Sequence, residues 1–369
     1  MKRAVTLLRV GLVAVGLVAV LSACGTKGPV LAGATSPAPG GGNTGVDSSG
    51  GTAPRFCARA ANLAPLGVSV IADNQRLVLP DGASYTLDTI PGGPTDGYQT
   101  CDGWLVRGWG NGSDTMSLWL VSPTGSPRVM VDKAEAPVAV AADGQHLAWR
   151  TGGKIYFGHV DPATKAVVDK STPAPARGAP IAVGTDTVVL GYSETGGGID
   201  RYDTWAPGLG DYKPTWDKTT DVRAVYGQAL ADGTYLGLVQ GPGGAKDLCL
   251  AVMNAKDNLK VSKKACAIVT QLDSHGSVSN DGHWLVMYGA AADGTGQISL
   301  VDLTRVFSTP AVTTSWAAVG AWAWEDASNL LVASGGTLRR FRVGSPTPDP
   351  VLRPGLVSAG KLIPLPRLG

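Results

Sequence analysis

Glutamate is nearly missing from this chain of 369 residues: only Glu135, Glu194 and Glu325 stand beside 26 aspartates. Glutamate favours helix interiors, whereas aspartate and the 51 glycines favour turns. The composition therefore predicts many turns and few helices. Histidine is limited to four residues. No C-x-x-C pair is present, which argues against a thiolate metal cluster. No G-x-S-x-G elbow is present, which argues against the nucleophile turn of an α/β-hydrolase. No D-x-D-x-D-G loop is present to bind calcium. Outside the first nine residues there is no basic run, and the net charge is +2, so a bland surface with no nucleic-acid partner is expected.

What is there begins with an export signal. Lys2, Arg3 and Arg9 precede the apolar run Val10 to Leu21, which ends on the small residues Ser22 and Ala23. Cations stay on the cytoplasmic side, the apolar run partitions into the bilayer, and small residues fit a peptidase. A retained transmembrane helix is the alternative, but 14 residues from Val10 to Ala23 span only about 21 Å against about 30 Å of hydrocarbon. Leu21-Ser22-Ala23-Cys24 resembles the lipobox of bacterial lipoproteins. The resemblance implies cleavage after Ala23, lipid on Cys24, and an extracytoplasmic protein held to a membrane by that lipid. Residues 1–23 are read as the signal peptide and 24–54 as the lipidated cysteine with a Gly/Ser/Pro-rich tether, whose 30 residues reach about 30 Å as a coil. Residues 55–369 are read as the folded domain.

Outside the cytoplasm, the four other cysteines favour two disulfides. Of the three possible connectivities, Cys249 with Cys266 is favoured, because they flank the turn-like Asn254 to Asn258 and would face each other across a hairpin; Cys57 would then pin the start of the domain to Cys101.

A short apolar strand, a turn containing Asp-Gly or its equivalent, and a second apolar strand recur along the chain. Reference positions 103, 144, 185, 233, 282 and 328 are spaced by 41, 41, 48, 49 and 46 residues, the range of a four-stranded propeller blade. Asp-Gly permits the positive φ of a tight hairpin, and the alternation after it sends side chains between neighbouring sheets. Ala142-Asp143-Gly144 through Leu147-Ala148-Trp149, and Asn280-Asp281-Gly282 through Leu285-Val286, resemble the blade motif of TolB-type and WD-type propellers. The expected fold is an all-β propeller of four-stranded antiparallel blades. Arg76 to Leu79 and Ser84 to Leu87 supply outer strands, while Leu356 to Ala359 and Lys361 to Leu365 supply inner ones, so the termini share a seventh blade. Six blades, eight blades or another β fold are the alternatives.

No catalytic set, metal site or cofactor is read. His146 and His283 each follow the Asp-Gly turn of a repeat, as polar turn residues would. Asp273-Ser274-His275 are adjacent in one loop and do not form a triad geometry. Gly108 to Gly112 precede a strand-like run where a phosphate cradle needs a helix. Asp293 brings one carboxylate only. Trp322 and Trp324 alternate onto one sheet face and, with Trp316, read as blade packing. Trp205, Tyr212 and Trp216 fall in a long loop and are the expected contact surface. Two functions follow: a binding module for a protein or small ligand, or a hydrolase or lyase acting on cell-wall or carbohydrate material.

Overall fold

A computed structural model describes residues 66–110, 114–193, 199–215, 219–230, 232–268, 275–290, 296–318, 320–334, 336–351 and 361–368. Seven blades follow one another around a ring. From the axis outwards, blade 1 takes Leu362–Pro364, Val70–Ala72, Arg76–Val78 and Ser84–Thr86. Blade 2 takes Pro94–Thr100, Gly103–Trp109, Met116–Val121 and Pro127–Ala134; blade 3 takes Ala139–Val140, His146–Thr151, Lys154–Val160 and Ala166–Pro173. Blade 4 has three strands among the described residues, Gly178–Val183, Val188–Tyr192 and Arg201–Trp205. Blade 5 comprises Val222–Ala229, Thr234–Gly241, Gly244–Asn254 and Lys260–Cys266, and blade 6 comprises Gly276–Val278, Trp284–Ala290, Gly296–Asp302 and Thr314–Trp316. Ala321–Trp324, Asn329–Ser334, Thr337–Arg342 and Asp349–Pro350 make blade 7.

The ring follows from where apolar side chains go. Strand alternation gives each blade two apolar faces, and each face packs on the next blade. Seven separate apolar clusters fill the seven interfaces, from Leu105 against Leu147 between blades 2 and 3 to Val70 against Leu331 between blades 7 and 1. Trp316, Trp322 and Trp324 lie together between blades 6 and 7.

The repeated turn joins the first and second strands of a blade. Asp143 accepts the amides of Gln145 and His146 at 2.8 and 3.0 Å, and Asp326 accepts those of Ser328 and Asn329 at 2.7 and 2.8 Å. Gly144 and Gly282 adopt φ of 67° and 73° there, a conformation that glycine adopts without steric cost.

Chain ends close the ring. Val70, Ile71 and Ala72 pair with Pro364, Ile363 and Leu362, so blade 1 is built from both termini of the domain. The chain then continues onto blade 2: Gln99 N donates to Pro366 O at 2.8 Å and Leu368 N donates to Gln99 O at 2.7 Å. Leu356 to Ala359, read as a further strand, lie outside the described residues. Among the described residues, no helix is long and apolar enough to cross a membrane.

Candidate contact surface

Blade 4 departs from the repeat, and the departure produces the most exposed apolar side chain of the described residues. Among the described residues, no fourth ladder strand follows Arg201–Trp205; side chains bind the connection instead. Asp203 is fully buried. Its Oδ1 accepts the Thr204 amide at 2.8 Å and lies 2.5 Å from the Thr215 hydroxyl; its Oδ2 accepts the Tyr212 hydroxyl at 2.7 Å and the Thr215 amide at 2.8 Å. Because the Tyr212 proton is committed to the carboxylate, Tyr192, 2.9 Å away, donates to Tyr212. The Thr219 hydroxyl donates to Tyr202 O, and the Tyr212 amide donates to Thr172 Oγ1 at 3.0 Å. Burial pushes the phenols of Tyr192, Tyr202 and Tyr212 above their ordinary range, and at Tyr212 the hydrogen bonds to Tyr192 and Asp203 add to it.

Trp205 corrects the sequence reading. It ends a strand instead of lying in a loop, is 2% exposed, and packs between blades 3 and 4. Its indole Nε1 donates to Gly210 O at 2.9 Å, which fixes the short turn Pro207–Leu209 from behind. Tyr212 is half-buried in the same cluster, where its role is structural. Trp216 lies outside the described residues. The large apolar side chain that the connection presents to solvent, beside the exposed Asp211 and Lys213, is Leu209, 92% exposed. Its sequence signal was Pro207-Gly208-Leu209-Gly210, a lone leucine between two glycines in a turn.

The remaining candidates are placed as follows. Cys24 and Cys57 lie outside the described residues. Cys249 and Cys266 are neighbours across the outer hairpin of blade 5 and form a disulfide, while Cys101 is disulfide-bonded elsewhere. His146 Nδ1 sits 2.6 Å from Asp143 and His283 Nδ1 3.1 Å from Asp281, each within its own turn. Burial opposes ionisation of Asp143, but hydrogen bonds from His146 and two amides outweigh it and lower its carboxyl; the same contact raises the His146 imidazole. His275 packs edge-on against Tyr288, with ring centroids 5.9 Å apart, while Asp273 and Ser274 lie outside the described residues, as does Asp293. Trp109, within the glycine-rich stretch, is 40% exposed. Among the described residues, no group of three or more His, Cys, Asp or Glu side chains is placed to hold a metal ion.

No protein-family model matches the chain, and no curated protein matches it. Among solved structures, TolB from Acinetobacter baumannii is 15% identical with a TM-score of 0.38, the match covering 64% of this chain and 60% of that one. The WD40 domain of Toxoplasma gondii coronin is 10% identical with a TM-score of 0.48, over 76% of this chain and 74% of that one. Kluyveromyces lactis Hsv2 is 13% identical with a TM-score of 0.45, over 68% of this chain and 75% of that one. These likenesses extend no further than the fold.

Proposed function

We propose that the protein is an extracytoplasmic lipoprotein, anchored through lipid on Cys24, whose propeller is a binding module at the cell envelope. The observation that carries the binding reading is Leu209, 92% exposed at the apex of a turn buttressed by Trp205 and Asp203. A turn already fixed in shape gives up little conformational freedom on docking. A protruding apolar side chain also fits a pocket on a protein partner better than it fits a small ligand, which needs a concave site. The alternative, a hydrolase or lyase on cell-wall or carbohydrate material, needs convergent carboxylates with free oxygens. The described turn aspartates Asp143, Asp232, Asp281 and Asp326 accept hydrogen bonds from their own turns, which supports the binding reading over it.

A photo-crosslinking residue at position 208, where an added Cβ meets nothing within 4 Å, tests the contact in intact cells. A discrete protein adduct is expected, weakened about tenfold when Leu209→Ser is added; no adduct, or one indifferent to Leu209→Ser, would sink the contact. Lipid labelling that persists in Cys24→Ala would sink the anchor.

A further inference from the structure

Exposed large apolar side chains are few among the described residues: Trp109, Val167, Val168, Leu209 and Val261. Four of these five lie at one end of the ring, in three consecutive blades. Val167 and Val168 open the outermost strand of blade 3, Leu209 follows the last described strand of blade 4, and Val261 is the second residue of the outermost strand of blade 5. Successive strands of a blade run in opposite directions, so each of these positions lies at the end that carries the Asp-Gly turns. The same end of blades 1, 2, 6 and 7 exposes no large apolar side chain among the described residues. Trp109 closes the second strand of blade 2 and lies at the opposite end.

The connection that carries Leu209 ties the three blades together. The Tyr212 amide donates to Thr172 Oγ1 of blade 3 at 3.0 Å, and the Thr215 hydroxyl lies 2.8 Å from Asn258 Oδ1, in the turn before the outermost strand of blade 5. Lys256 of that same turn reaches Asp186 of blade 4 at 2.6 Å. Single exposed apolar residues are ordinary on a protein surface. Four on adjoining, cross-braced blades make a continuous rim.

Lysine sets the charge of this rim. Lys165, Lys213, Lys263 and Lys264 are exposed and have no acidic partner among the described residues, against one such carboxylate, Asp211. The other carboxylates nearby are occupied: Asp186 and Asp257 face Lys256 and Lys260, Asp169 faces His159, and Asp161 caps its own turn.

Resting on the reading that Leu209 anchors a protein partner, we propose that this partner is a protein with carboxylates around an apolar pocket, docked along the rim of blades 3, 4 and 5. Leu209 fills the pocket, Val167 with Val168 and Val261 flank it, and the four lysines face the carboxylates. Anchor and lysines act differently. A buried apolar anchor excludes water and sets the lifetime of the complex, whereas rim charges steer the encounter and set its rate. A basic partner is repelled by the same lysines. An anionic lipid surface also attracts them, but one protruding leucine offers a bilayer little apolar area, whereas a fitted pocket adds the packing of its walls.

The test uses the full, processed chain in intact cells, with photo-crosslinking residues placed singly at 168, 208 and 261. Position 304, on blade 6 at the same end, and position 109, at the opposite end, serve as controls. Mass spectrometry of the adducts identifies the partner peptide at each position. One protein is expected at 168, 208 and 261, through peptides rich in aspartate or glutamate, and none at 304 and 109. Lys165→Glu with Lys213→Glu and Lys263→Glu is expected to lower the adduct at 208 about tenfold, with the melting curve unchanged. An adduct at 208 alone, a neutral or basic partner peptide, or capture indifferent to the charge reversal overturns the acidic footprint while leaving Leu209 a contact. No adduct at any of the three positions overturns the binding surface itself. The chain carrying Cys24→Ala should not sediment with phosphatidylglycerol vesicles; sedimentation that the triple reversal abolishes would replace the acidic protein with an anionic lipid surface.

Discussion

Blades 1 and 2 meet where the two ends of the domain are stitched together, whereas blades 4 and 5 meet at an unbroken stretch of chain whose sheet is irregular. The first seam is regular in backbone: Leu362–Pro364 pairs with Val70–Ala72 and the chain runs on into contact with Gln99. At the second, blade 4 shows no fourth strand among the described residues, and a single parallel pair, Val183 with Gln228, fuses two blades into one seven-stranded sheet. Each region relies on a fully buried carboxylate. Glu325, just before blade 1 in the ring, accepts the Gly67 amide at 2.6 Å and faces the Arg340 guanidinium at 2.5 and 3.0 Å. Asp203 is surrounded among the described residues by neutral donors only. Where a ladder bond is missing, a carboxylate can gather several donors at once, and either a cation or a set of hydroxyls and amides can satisfy it.

Deleting residues 361–369 should have the largest effect. It removes the inner strand of blade 1 with Arg367 and Leu368, and no cooperative melting transition is expected; a shortened chain that still melts in one step would show that the chain-end seam is dispensable. Asp203→Ala comes next. It strands the Tyr212 hydroxyl and the Thr204 and Thr215 amides, for a loss of about 4 kcal/mol in denaturant unfolding. Glu325→Ala leaves Arg340 with 17% of its side chain exposed, so water offsets part of the penalty and about 3 kcal/mol is expected. The reverse order would break the comparison, since it would make the charged partner the dominant one.

Alkali should separate the two regions more gently. Burial holds Tyr192, Tyr202, Tyr212 and Tyr235 above the ordinary phenol value, and all four belong to blades 4 and 5 or the connection between them. A raised pKa in the fold means that the neutral phenol contributes stability in full below the unfolded value of about 10. That stability fades as pH climbs from there through the folded values. Hydrogen exchange at rising pH should therefore show blades 4 and 5 losing protection before blade 1, whose strands hold no fully buried tyrosine. Simultaneous loss would place the alkaline weakness elsewhere.

The regular part of this architecture was legible because Asp-Gly turns recur at blade spacing and their physics is local: Asp143 and Asp281 cap their own turns whatever lies around them. Sharing of blade 1 was legible from strands at both ends that lacked partners, but its division was not: Val70–Ala72 takes the second position, where a second strand from the far end was expected. Blade 4 was not, because Arg201-Tyr202-Asp203-Thr204-Trp205 places a carboxylate at a buried strand position. A buried aspartate reads as a loop residue until its donors, 9 and 12 residues further on, are known. Trp205, set among Tyr202, Pro207, Tyr212 and Pro214, reads as a loop residue until its pairing with Val188 is known. Glu325 carried a faint signal as one of three glutamates, but its partners Gly67 and Arg340 come from different blades and no local pattern joins them.

The smallest expected change in stability falls at the position with the largest expected consequence for binding. Leu209 touches almost nothing, so Leu209→Ser should shift unfolding by no more than about 0.5 kcal/mol. Trp205→Ala, four residues earlier, opens a cavity between blades 3 and 4 and should cost about 3–5 kcal/mol. Both variants weaken partner capture in the proposed reading, but for separable reasons: one removes the apolar group and the other removes the indole that holds its turn. Capture measured on the fraction of each variant that remains folded distinguishes them. If Leu209→Ser lowers capture with its melting curve unchanged, the turn is a contact. If capture falls only in proportion to lost stability, the irregular seam of blade 4 is a structural repair and nothing more.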